Sequence, residues 1–128
     1  MVEFWHDCAI EKFSFEERDA LVVFPEKGRA NGRLVIKTEY WGAFPATEVA
    51  LVKAGFHLCY IKNDNRWGTD GDLDRKARFV RFVAEKYGLS EKTVPVGMSC
   101  GGLFAIKFAA KYPELVSCLY LDAPVLNY

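Results

Sequence analysis

A chain of 128 residues has the length of one domain, and one of that size buries roughly two-thirds of the surface its unfolded form exposes, so neither disulfides nor a metal is required to hold a core. Hydrophobic residues make up 51% and charged residues 27%, which excludes a disordered or fibrous chain. Seventeen basic and seventeen acidic side chains cancel, removing the long-range field that a nucleic-acid or anionic-membrane binder uses.

The opening MVEFWHDCAI carries acidic residues where a secretory signal carries basic ones, and no apolar run reaches the roughly 18 residues of a membrane span. The expected address is the cytoplasm, with neither nucleic acid nor membrane among the partners. EKFSF and ALVVF flank the polar EERD and predict a hairpin over 11–24. EKGRANG is a loop by composition, and RLVIKTEY after it reads as a buried strand. Pro45 opens a helix, PATEVALVKAG, which Gly55 stops. FHLCYI is the next strand, followed by the polar loop KNDNRWGTDG.

Leu73, Ala77, Val80, Ala84 and Tyr87 then mark one face of a helix ending near Gly88. Thr69 and Asp72 have the spacing of a capping box. Arg75, Lys76, Arg78, Arg81 and Lys86 on the same helix read as a solvated face. The aspartates at 64, 70, 72 and 74 invite comparison with a calcium loop, but no glycine follows Asp74, and Arg81 stands where the final ligand after Asp70 would be. They read instead as a charge-favoured helix start. TVPVGM is a strand, GGLFAIKFAAKY a helix stopped before Pro113, and VSCLYL, residues 116–121, a last apolar strand before DAPVLNY.

Strands separated by helices imply right-handed crossovers and a mostly parallel sheet with helices on both faces, here with an amino-terminal β-hairpin. No repeat, low-complexity stretch or linker divides the chain, so residues 1–128 form one unit. Cys8, Cys59, Cys100 and Cys118 show no CxxC spacing and are expected to be buried, reduced thiols rather than disulfides or metal ligands. No cofactor is called for.

One stretch carries chemistry. VPVGMSCGG sets Ser99 between a strand and a helix, with Gly97, Gly101 and Gly102 around it. A sharp strand-to-helix turn needs small flanking residues because neighbouring chain packs against it on both sides. A hydroxyl lifted to a helix start meets unpaired amides that favour the negative charge of acyl transfer, and the amide of Cys100 is one such donor.

GMSCGG resembles the GxSxG nucleophile elbow of the α/β-hydrolase superfamily. The hairpin, RLVIKTEYWGAFP in the place of the oxyanion strand and loop, and KYPELVSCLYLDAPV after the elbow helix extend the likeness over nearly the whole chain, which is most similar to bacterial esterase-like and prolyl-oligopeptidase-like members. The resemblance implies a serine hydrolase of small carboxylic esters or amides, with Ser99 as nucleophile and the amides of Cys100 and Ala43 holding the oxyanion, Trp41 being the alternative to Ala43. Trp41, Phe44 and Trp67 follow strand ends and are candidates to line an apolar pocket, or to pack as core.

Two departures stand out. EYWGAF replaces the His-Gly motif of many members, and the chain stops after the sixth strand of an eight-strand plan, before the place where the family carries its histidine. His57 begins its strand, a strand's length below Ser99, and His6 precedes the hairpin. Asp122 ends the strand expected beside the elbow strand and is the candidate acid. The expectation is therefore the amino-terminal part of a longer hydrolase, or a truncated one, lacking the histidine of the triad and also its acid, which most members carry one strand later than Asp122. The other class left open is a catalytically inactive hydrolase-like module that binds a partner. The strand at 116–121 has no protective charges, so self-association through it is expected in either case.

Overall fold

The computed structural model describes residues 3–39, 41, 46–65, 67–98 and 100–122, with only the backbone described for Met98, Cys100 and Asp122. Seven strands form one mixed sheet: β1 (Glu3–Trp5), β2 (Cys8–Phe15), β3 (Arg18–Val23), β4 (Leu34–Lys37), β5 (His57–Ile61), β6 (Thr93–Met98) and β7 (Tyr120–Asp122). Their order is β1-β2-β3-β5-β4-β6-β7, antiparallel from β1 to the β3–β5 pair and parallel from β5 to β7. Helices α1 (Ala46–Lys53), α2 (Asp70–Tyr87) and α3 (Cys100–Lys111) make the crossovers.

Alternation along the strands sorts the core into two layers. Val22, Leu34, Ile36, Cys59 and Ile61 face α2 and α3, where they meet Leu73, Val80, Val83, Phe104 and Phe108. Leu21, Val23, Val35, Leu58, Val94 and Val96 face the other way, toward Val52 of α1. The predicted stripe of α2 is the one it buries, with Leu73, Ala77, Val80 and Ala84 all inside and Tyr87 half-buried.

The elements differ from expectation in four places. β1 was not foreseen, and it turns into β2 through His6 and Asp7, both in the left-handed region at φ 47° and 68°. Glu16 and Glu17 do the same between β2 and β3, so both hairpins use the mirror-image turn that suits strand twist without the glycine that usually announces it. The predicted strand 116–121 pairs with β6 at Tyr120–Asp122 and at one bridge, Thr93 to Val116. The gap has a cause in Pro95: along β6 the Thr93 carbonyl accepts from Ser117 on the β7 side and the Val96 carbonyl from Thr38 on the β4 side, so Pro95 turns its missing N–H toward β7. Finally, Thr69 is the N-cap of α2 without a side-chain bond, and Asp72, instead of closing a capping box, turns back to accept the amides of Asp64 and Asn65.

Burial also corrects two readings of side chains. Lys76 does not share the solvated face of α2; it is 1% exposed. Of the described thiols, Cys59 is buried, Cys8 half-buried and Cys118 exposed, so the expectation of uniformly buried cysteines fails for Cys8 and Cys118. Among the described residues no helix is long and apolar enough to cross a membrane.

Candidate active site

From β4 the chain crosses to β5 by way of α1 on one face, and from β5 it returns past β4 to β6 by way of α2 on the other. β6 is left through α3 on the same face as α2, so the connections from the adjacent strands β4 and β6 diverge at their carboxyl ends, which is where sheets of this kind hold a crevice. Thr38 and Glu39, which follow β4, stand against the β6–α3 junction there.

That junction is as short as the sequence implied: β6 ends at Met98 and α3 begins at Cys100. Its neighbours show why small residues are needed. A methyl group on Gly97 would overlap the carbonyl of Gly101 and lie 2.6 Å from the Cα of Gly102, so the first turn of α3 rests directly on β6. One on Gly101 would lie 3.2 Å from Thr38 Oγ1 and 3.4 Å from Glu39 Cβ, so the start of the β4 loop presses on the same turn from the other side. Thr38 fastens the contact. Its N–H donates to the Val96 carbonyl at 3.1 Å, and its hydroxyl donates to the Gly101 carbonyl at 2.6 Å with Val96 O at 3.1 Å.

Below Thr38 lies a buried polar chain that the sequence reading missed. Asn63 Nδ2 donates to the Thr38 carbonyl at 2.7 Å, and the Lys76 ammonium donates to Asn63 Oδ1 while sitting 4.9 Å from the centre of the Phe104 ring. Burial pulls Lys76 down to about 8, opposed by the carboxylates of Asp72 and Glu39. Nearby, burial and then the Glu39 carboxylate push Tyr60 up to about 12. Two signals were present: Lys76 is three residues past Leu73 and four before Val80, on the apolar stripe, and Thr38 and Asn63 are polar residues just past the carboxyl ends of parallel strands.

Ser99, Ala43 and Phe44 lie outside the described residues. Cys100 is the first residue of α3, and Asp122 closes β7 in register with Met98, so its backbone is level with the end of the elbow strand. Trp41 stacks on Trp5 at 5.2 Å and on Tyr60 at 5.7 Å between ring centres, half-buried in the layer of α1, and borders a cavity of about 480 Å³ with Leu21 and Tyr60. Trp67 is 45% exposed in the loop before α2, where its carbonyl accepts from Lys107 of α3 at 2.9 Å. The two tryptophans thus belong to different parts of the molecule. Among the described residues no group of His, Cys, Asp and Glu is arranged to hold a metal.

Both histidines sit at the wrong end of the sheet. His57 pairs through Leu34 with Thr93, five residues before Met98, a separation on the order of 16 Å along β6. Its ring packs on Phe24 and Tyr87, and burial lowers its pKa. His6 occupies the β1–β2 turn, at the same end of the sheet as His57 and four strands from β6.

The model of the family described as alpha/beta hydrolase fold matches residues 33–128. No curated protein matches the chain. Among solved structures, a probable hydrolytic enzyme from Pseudomonas aeruginosa PAO1 is 18% identical with a TM-score of 0.57, over 96% of this chain and 43% of that one. Esterase Est22 is 14% identical with a TM-score of 0.66, over 91% and 43%. A cold-adapted esterase from an Arctic intertidal metagenomic library is 17% identical with a TM-score of 0.64, over 94% and 62%. The chain thus spans between about two-fifths and three-fifths of the length of these structures, and at such identities the likeness is one of fold.

Proposed function

Since the chain belongs to the α/β-hydrolase fold family, we propose that it carries the nucleophile half of a serine hydrolase acting on small carboxylic esters or amides. The observation that supports this most directly is the β6–α3 junction, with Gly97 against the backbone of Gly101 and Gly102, and Gly101 against Thr38 and Glu39, at the point where the β4 and β6 connections diverge. In this reading the Ser99 hydroxyl oxygen attacks the acyl carbon, the bond to the alcohol or amine breaks, and water later releases the acid. The amides of Cys100 and Ala43 hold the oxyanion, and Asp122 is the candidate acid. Serine is a weak nucleophile until a base takes its proton, and neither His6 nor His57 reaches that end of the sheet, so the base is a histidine from outside these 128 residues.

Hydrolysis of p-nitrophenyl acetate tests the reading. The 128-residue chain is expected to turn it over slowly, at most roughly 10³–10⁴-fold above water, by attack of a Ser99 hydroxyl that no base activates. Ser99→Ala removes most of that rate, whereas His57→Ala and Cys100→Ala leave it in place once the fraction folded is accounted for. Rapid turnover lost in His6→Ala or His57→Ala overturns the missing-histidine reading. A rate equal to that of Ser99→Ala favours the inactive binding module.

We further propose that a second copy of the chain covers β7. Among the described residues β7 pairs on one side only, and Leu119 and Tyr120 are 39% and 44% exposed there. Light scattering at high micromolar concentration is expected to give more than the 14.5 kDa of one chain, and a clean monomer refutes it.

A further inference from the structure

We propose that Lys76, acting through Asn63 and Thr38, is a positioning residue for the β6–α3 turn and the loop after β4; only its kinetic consequence rests on the reading of Ser99 given above. A side-chain amide can sit either way round, and Asn63 has a buried carbonyl, that of Thr38, to satisfy on one side. With an ammonium on the other side, only one orientation works: Oδ1 toward Lys76 and the NH₂ toward Thr38. The reverse would set donors against donors and leave the Thr38 carbonyl facing an oxygen. Lys76 therefore selects the amide orientation that ties Thr38 down.

Thr38 in turn holds carbonyls on both sides of position 99, at Val96 and Gly101. A side chain on α2 thus reaches the elbow through Asn63 and Thr38, along three hydrogen bonds. An apolar side chain of equal length would fill the same volume but could not choose the amide's orientation.

The groups that face Lys76 are Asp72 and Arg75 from its own helix, Cys59 from β5 with Asn63 beyond it, Glu39 after β4, and the Phe104 ring from α3. Loss of its extra proton gives a neutral amine that can accept as well as donate, which relaxes the selection, so the elbow should register that event.

Amide NMR across pH 6.5–9.5 reads it. In the unaltered chain the Thr38, Gly101 and Gly102 amides are expected to share one titration with a midpoint near 8. Lys76→Met removes that titration at all three. Asn63→Asp keeps an acceptor for Lys76 but gives Thr38 no donor, and it is expected to uncouple Thr38 and Gly101 in the same way. In ester hydrolysis, Thr38→Val lowers kcat tenfold or more with KM within twofold, and Thr38→Ser restores it to within threefold. Flat Thr38 and Gly101 amides in the unaltered chain, or a titration that persists in Lys76→Met, overturns the proposal. Absence of Ser99-dependent turnover counts against the hydrolase reading alone, because the amide titration still decides the positioning one.

Discussion

The sharpest consequences at the scale of single residues concern two glycines. Gly97→Ala forces α3 away from β6 because its methyl group has backbone on the other side, not a side chain that can turn aside. Overpacking of this kind costs roughly 1–3 kcal/mol, and urea denaturation should place the loss at the upper end of that range. Gly71 is the control: it lies in the first turns of α2 with open space at its Cβ, so Gly71→Ala should stabilise by about 0.5–1 kcal/mol. The need for small residues around Ser99 was legible because steric crowding at a strand-to-helix turn follows from the turn itself. Lys76 was legible too, through its place on the apolar stripe with Leu73 and Val80, but four other cations on the same helix obscured it.

Among the elements, α1 is the least amphipathic, and a buried ion pair helps to hold it. Lys37 at the end of β4 donates to Glu48 Oε1, both side chains 3% exposed, and Glu48 Oε2 has no hydrogen-bond partner among the described residues. Removing one partner leaves a buried charge alone, so Lys37→Met should cost roughly 3–5 kcal/mol in chemical denaturation. Lys37→Met combined with Glu48→Leu should recover most of it, since a well-packed apolar pair often matches a buried ionic one. The strands and helices from β2 to α3 could be read in advance because each has its own stops and all but α1 have their own period. β1 could not, being three residues long and joined by a turn that lacks glycine. Neither could the short ladder of β7, since it depends on how a proline in a different strand is oriented.

For the molecule as a whole, the amino-terminal end of the parallel strands holds a pH response of its own. His57 is buried between Phe24 and Tyr87, its Nδ1 has no hydrogen-bond partner among the described residues, and burial lowers its pKa. The unfolded chain then binds the proton more readily than the folded one, so stability is full above about pH 6.5 and falls as pH drops from there toward the lowered folded value. Thermal unfolding followed from pH 8 to 5 should show this decline, and His57→Phe should flatten that part of it. The division of the molecule into two ends is what sequence reading conveyed best, since strand direction alone sets His57 and position 99 apart.

The pairing of β4 also governs when a crevice can exist. Leu34 pairs with His57, 23 residues on, but also with Thr93, 59 residues on, and the second closure is the costlier in chain entropy. Folding that proceeds through the nearer contacts first assembles β1, β2, β3, β5 and β4 and leaves Leu34, Val35 and Ile36 as an open apolar edge until β6 docks. During synthesis that edge, formed once β5 is complete at Ile61, waits until β6 (Thr93–Met98) is made, which is the interval in which a chaperone or a second nascent chain can capture it. Because the crevice lies between the last two strands to meet, no earlier folding intermediate on that route contains it.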